Sequence, residues 1–205
     1  IICRNSFNQK DFLLKKYPNC DVINGTTIQN RIKQNKILCN NTINFNIDAG
    51  FYWKKMECFF LFRNTTFNNK KIILFTCIDE FTFRIRSGYP KIINNQTWNN
   101  LSLTDKIDSA FVVDNTYVIF IKGKYYVKYN MITRQQLPNY PKTVKSNFYY
   151  LPELFHNNIT SSMNIGNNIV LLFNNLNYIE YNINSIENEN AITYPASIKY
   201  SLKNK

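Results

Sequence analysis

Along this chain the apolar residues fall in short runs that read as β-strands. Tyr117-Val118-Ile119-Phe120-Ile121 leads into Lys122-Gly123-Lys124 and then Tyr125-Tyr126-Val127-Lys128-Tyr129. Aromatic and β-branched residues on both sides of a glycine-containing break predict a hairpin. Ile169 to Phe173, then Asn174-Asn175, then Tyr178-Ile179-Glu180-Tyr181 repeat that pattern. Cys58-Phe59-Phe60-Leu61-Phe62-Arg63 and Lys71-Ile72-Ile73-Leu74-Phe75-Thr76-Cys77 give a third hairpin, with a longer connection from Asn64 to Lys70. A further strand is expected at Phe81-Thr82-Phe83-Arg84-Ile85. Side chains alternate faces along a strand, so one of Tyr125 and Tyr126 belongs to a core. No run approaches the ~20 apolar residues that a membrane span needs, so none is expected.

The hairpins sit inside a repeat. Three segments open alike, at Ile47-Asp48-Ala49-Gly50-Phe51, Ile107-Asp108-Ser109-Ala110-Phe111 and Ile159-Thr160-Ser161-Ser162-Met163, with starts 60 and 52 residues apart. Each ends near a Tyr-Pro pair, Tyr89-Pro90, Tyr140-Pro141 and Tyr194-Pro195, and these are 51 and 54 apart. Each repeat offers about four short strands in about 50 residues, the size of one propeller blade. A single four-stranded sheet cannot bury both faces alone, so successive repeats must pack on one another.

The motifs of the second repeat resemble a hemopexin repeat. Ile107-Asp108-Ser109-Ala110-Phe111 matches that family's opening strand. Phe120-Ile121-Lys122-Gly123-Lys124-Tyr125-Tyr126-Val127-Lys128-Tyr129 matches its hairpin, and Tyr140-Pro141-Lys142 with Phe148 matches its closing motif. The first repeat fits at both ends. The third departs at Thr160, in place of Asp, and at Ala196, in place of Lys. The resemblance implies an all-β fold: a four-bladed hemopexin-like propeller with short helices after the Tyr-Pro pairs. The whole chain is then one domain, with blades at 46–105, 106–158 and 159–205 and an atypical blade at 1–45. Tyr17-Pro18-Asn19 could echo the closing motif there. Cys3 has no partner near the C-terminus, so the first-to-last disulfide usual in the family is not expected. Cys3 is left to pair with Cys20 or Cys39.

Composition adds a compartment. Six N-x-Ser/Thr sequons occur, at Asn24, Asn40, Asn64, Asn95, Asn100 and Asn158; each, if used, needs an exposed position. Asn fills 34 of 205 positions, which supplies sequons by chance as well. This bias, shared with Lys, Ile, Tyr and Phe, fits an A/T-rich genome such as a virus or protozoan. The chain starts Ile-Ile-Cys and reads as a secreted, extracellular protein after removal of a signal peptide. The five cysteines show no metal-binding spacing. Cys58 and Cys77 stand symmetrically about the first hairpin and are expected to form a cross-strand disulfide. The odd count leaves at least one thiol unpaired or joined to another chain as a disulfide-linked dimer.

Charge and site chemistry narrow the function. The net charge of +12 is distributed as +5, +3, +4 and zero over 1–45, 46–105, 106–158 and 159–205. A basic surface draws polyanions. In a secreted protein these are sulfated glycosaminoglycans or acidic proteins, and no nucleic-acid recognition motif accompanies the charge. Lys122, Lys124, Lys128, Lys142 and Lys145 are the candidate glycan-binding cluster, with Lys10, Lys15 and Lys16 adding to it. Catalysis is not expected, because His156 is the single histidine and no catalytic motif occurs. Heme is not expected either, although heme transport is what the family name suggests, and a heme or metal carrier stays as the third reading. The resemblance also implies that the opening strands line a central channel. Backbone carbonyls at Asp48, Asp108 and Thr160 could there hold a structural Ca²⁺ or other ion. Side chains at these positions could instead cap strand ends. The expected function is a secreted glycoprotein that binds a host extracellular or cell-surface protein, such as a cytokine, receptor or matrix component, as a decoy or adhesion factor. A glycosaminoglycan-binding surface protein is the alternative.

Overall fold

The structure is a computed structural model, and it describes residues 47–175, 177–191 and 199–200. The atypical blade expected at 1–45, with Cys3, Cys20, Cys39, Asn24, Asn40 and its lysines, lies outside the described residues, as does Tyr194-Pro195.

Among the described residues, three antiparallel sheets follow one another along the chain. The first runs in the order β1 (Ala49–Trp53), β2 (Cys58–Phe67), β3 (Lys70–Asp79), β4 (Lys91–Ile92). The second has β5 (Ser109–Val112), β6 (Tyr117–Lys122), β7 (Tyr125–Asn130) and β8 (Gln135–Gln136), with β9 (Lys142–Thr143) also paired to β7. The third has β10 (Ser161–Gly166), β11 (Ile169–Asn174), β12 (Asn177–Asn182) and β13 (Lys199–Tyr200). Each sheet starts from one of the three repeat openings, and β1, β5 and β10 contact one another across sheets. They are therefore the inner strands of three hemopexin-type blades, and the fold is all-β as expected.

The core lies between blades, as radial packing requires. One buried cluster joins Phe51, Phe60, Phe62 and Phe75 of the first blade to Val118, Phe120, Val127 and Tyr129 of the second. Another joins Phe111, Ile121 and Tyr126 of the second to Val170, Leu172, Ile179 and Tyr181 of the third. Each cluster has an aromatic hub supplied by the segment after a Tyr-Pro pair. Trp98 lies 5.0 Å from Tyr129 and 5.3 Å from Phe120 between ring centroids, and also meets Phe60, Phe62 and Phe75. Phe148 stacks on Tyr181 at 5.7 Å and meets Tyr126 edge-on at 4.9 Å. Tyr126 is fully buried and Tyr125 is exposed, as alternation demands. Tyr89-Pro90 and Tyr140-Pro141 are both cis.

Three expectations change. The connection from Asn64 to Lys70 is mostly ladder: Asn64 pairs with Ile73, Thr65 with Ile72, Thr66 with Lys71 and Phe67 with Lys70. Only Asn68 and Asn69 turn, with φ of 49° and 60°, the left-handed pair that a two-residue hairpin turn uses and Asn tolerates. The strand expected at Phe81–Ile85 does not form. Asp79 Oδ1 accepts hydrogen bonds from Phe81 N, Thr82 N and Thr82 Oγ1, which pulls the chain into a tight loop with Phe81 exposed. Ile85 keeps a single bridge to Ile78, and the fourth strand is Lys91–Ile92 instead. Of the helices expected after the Tyr-Pro pairs, one four-residue turn forms among the described residues, α1 (Val144–Asn147), and the residues directly after Tyr194-Pro195 lie outside them. After Tyr89-Pro90 a series of turns carries the chain to Trp98. The disulfide between Cys58 and Cys77 is present, buried, with Cα atoms 5.8 Å apart.

Candidate binding surfaces

The three residues marked as ion-site candidates occupy equivalent places and make equivalent bonds. Asp48 N donates to Phe62 O, Asp108 N to Ile121 O and Thr160 N to Phe173 O, at 2.8–2.9 Å. Their side chains accept in turn from the backbone two residues further on. Asp48 Oδ2 takes Asn64 N at 2.7 Å, Asp108 Oδ2 takes Gly123 N at 2.8 Å, and Thr160 Oγ1 takes Asn175 N at 3.2 Å. Each side chain thus ties the entry of an inner strand to the backbone of the neighbouring strand or its end. Thr160 fits where Asp stands in the other repeats because a hydroxyl oxygen is also an acceptor. Among the described residues no group of three or more His, Cys, Asp or Glu is placed to hold a metal.

Four of the five candidate lysines divide between two places. Lys128 and Lys142 converge on Glu187. Lys142 Nζ is 2.7 Å from Glu187 Oε1, which also accepts from Tyr126 Oη at 2.8 Å and Tyr140 Oη at 2.5 Å. Lys128 Nζ is 3.8 Å from Oε2. Burial works to raise the Glu187 carboxyl, but the hydrogen bonds from Lys142, Tyr140 and Tyr126 outweigh it and hold the group below its ordinary value. Burial first, and then the bond to Glu187, push both tyrosine hydroxyls well above theirs. These two lysines therefore lock blades together and face an internal carboxylate.

Lys122 and Lys124 lie at the other place, the end of the propeller where the inner strands begin. Lys122 Nζ holds Asp105 at 2.5 Å, and this bond keeps the Asp105 carboxyl below its ordinary value, with a further pull from Lys71 of the first blade. Lys106 pairs with Asp108 at 2.6 Å. Lys124 is exposed, over the Tyr125 ring. Beside them stands the β2–β3 hairpin. β2 runs five residues past Phe62, whereas β6 runs one past the equivalent Ile121. The hairpin therefore projects beyond its blade, and Thr66 to Lys71 are all exposed, with Phe67 at 63%. Its root is anchored to the next blade by Asn64, whose Nδ2 donates to Ile107 O at 2.9 Å while Oδ1 accepts from Ile107 N at 2.8 Å. The sequence pattern does not single out Phe67 and Lys70, which fall in the expected connection, or Lys71, which opens the expected next strand. Lys145 is exposed on α1.

Of the sequon asparagines, Asn95, Asn100 and Asn158 are exposed and Asn64 is half-buried with its amide committed to Ile107. His156 has Nε2 2.9 Å from Leu151 O, and its Nδ1 is buried.

No protein-family profile matches the chain, and no curated protein sequence matches it. Solved structures do. A Cicer arietinum albumin described as showing hemagglutination aligns with a TM-score of 0.53 and 18% identity over 76% of this chain and 93% of its own. A plant lectin with two metal-binding sites from the same species aligns with a TM-score of 0.51 and 15% identity, over 75% of this chain and 67% of its own. A cow pea protein described as having the hemopexin fold gives 0.44 and 16% over 65% and 84%. The likeness is one of fold: successive antiparallel blades around a common axis.

Proposed function

We propose that this chain is a non-catalytic binding protein, a secreted glycoprotein that captures an extracellular protein through the β2–β3 hairpin and the lysines beside it. The observation that carries this reading is the projecting hairpin. It sets Phe67 in solvent with Lys70 and Lys71 flanking it, next to Lys106, Lys122 and Lys124 of the adjoining blade. An exposed large apolar side chain inside a basic rim suits a protein partner with an acidic surface and an apolar pocket. A second reading, a sulfated glycosaminoglycan as ligand, is favoured by the approach of Lys71, Lys106 and Lys122 to one another around Asp105 and Asp108. A virus-encoded decoy is the form the first reading takes if the Asn-rich composition is a genomic bias. The named solved structures come from legumes, and their lectin and albumin roles are theirs.

The test is capture by the immobilised glycosylated protein from a panel of purified extracellular proteins, with and without heparin. A saturable partner that survives heparin supports the first reading. Loss of all binding in heparin supports the second. No saturable binding to the panel or to heparin refutes both.

A further inference from the structure

The opposite end of the inner strands, away from the basic hairpin, holds a cavity of about 460 Å³. That is the size range of small-molecule sites. It is formed where β1, β5 and β10 finish, and its half-buried apolar lining comes from Tyr52, Phe59, Val112 and Val113. Phe51, Phe111 and Met163, at the same position in the three repeats, are buried and do not form this half-buried lining.

The polar atoms around the cavity are unequally engaged. Ser162 Oγ donates to Ala110 O at 3.1 Å and Asn164 Nδ2 to Val112 O at 2.7 Å, lacing β10 to β5. Asp114, the one carboxylate in the lining, accepts from Thr116 N at 2.6 Å and Tyr117 N at 2.9 Å. Lys54 and Lys55 differ. They stand exposed at the rim, on the single turn that ends β1, and among the described residues neither ammonium group meets a carboxylate. An apolar hollow with two unpaired cations at its lip has the chemistry to take a ligand with an apolar body and one negative group.

We propose that this cavity binds small amphipathic anions, with the hydrocarbon part against Tyr52, Phe59 and Val112 and a carboxylate or sulfonate at Lys54 and Lys55. The site is separate from the proposed protein-binding face and stands or falls independently of it.

Octanoate, octanol and octylammonium, titrated into the full chain by calorimetry, test this directly. Octanoate is expected to bind one to one, octanol more weakly and octylammonium not at all. The K54Q/K55Q double variant is expected to weaken octanoate about fivefold, the scale of an exposed charge contact, and to leave octanol unchanged. Asn115→Trp, at an exposed rim position, should abolish both without moving the urea midpoint. A variant of the β2–β3 hairpin should bind octanoate normally. Octanoate and octylammonium binding alike would overturn the proposal. So would octanoate binding that survives Asn115→Trp, or no measurable heat for octanoate.

Discussion

Glu187 offers the sharpest test of how the blades are held together. Three donors, from Tyr126, Tyr140 and Lys142, converge on its Oε1 within 2.8 Å. Tyr126 is fully buried, so Glu187→Ala leaves its hydroxyl without an acceptor, at about 1–3 kcal/mol for an unsatisfied buried donor. Tyr140 is partly buried and adds about 1 kcal/mol. Lys142 is a third exposed and can turn to water, so its lost ion pair adds little. The expected total is about 2–4 kcal/mol. Glu187→Gln keeps a neutral acceptor and should cost about 1 kcal/mol. Urea unfolding followed by tryptophan emission measures both, provided the slope stays constant. The pH dependence follows from the lowered carboxyl. A group whose folded value lies below its ordinary 4.5 contributes stability fully present above that value and lost as pH falls through the folded one. The gap between wild type and Glu187→Gln should therefore be full at pH 7 and close below about pH 4.5. Glu187→Ala within 0.5 kcal/mol of wild type, or a gap unchanged at pH 3, would refute the reasoning.

Three further outcomes are expected. Trp98→Ala empties the hub of the first core and should cost about 3–5 kcal/mol in the same urea assay, while Phe67→Ala at the exposed hairpin tip should cost almost nothing. A glycan on Asn64 Nδ2 would displace the proton now donated to Ile107, so glycopeptide mapping of the secreted protein should find Asn64 bare and Asn95 and Asn100 occupied. Burial, aided by Glu80, pushes the Tyr52 hydroxyl up to about 12, burial pushes Tyr129 up to about 12, and it raises Tyr181 further. Folded values raised above about 10 contribute stability present below pH 10 and lost as pH rises through the folded values, so thermal unfolding should shift sharply downward between pH 10 and 12.

The repeat openings and hairpins were legible because strand alternation and the Tyr-Pro pairs recur at blade length. The disulfide was legible because Cys58 and Cys77 flank one turn symmetrically. Thr160 shows how far a motif can be read. It breaks the Asp pattern by letter but keeps the acceptor, and only the shared bonds to Phe173 and Asn175 reveal the equivalence. Trp98 could have been found from its spacing, nine residues after Tyr89 as Phe148 is eight after Tyr140. Glu187 could not. Its partners Lys142, Tyr140 and Tyr126 lie 45, 47 and 61 residues away, and no local pattern announces a carboxylate between blades. The same distance effect split the lysine cluster: alternation along β7 turns Lys128 toward Glu187, whereas Lys124 stays at the exposed turn. The loop expected at Asn64 to Lys70 became a projecting ladder because two asparagines can turn a hairpin by themselves.

The most direct test of the binding account compares wild type with the Phe67→Ser/Lys70→Ser/Lys71→Ser variant on the same panel of purified extracellular proteins, with heparin present throughout. The account predicts that wild type captures at least one partner saturably and that the variant binds it at least about tenfold more weakly, as loss of an apolar anchor with its flanking charges requires, at an unchanged urea midpoint. Equal binding by the two proteins would contradict it.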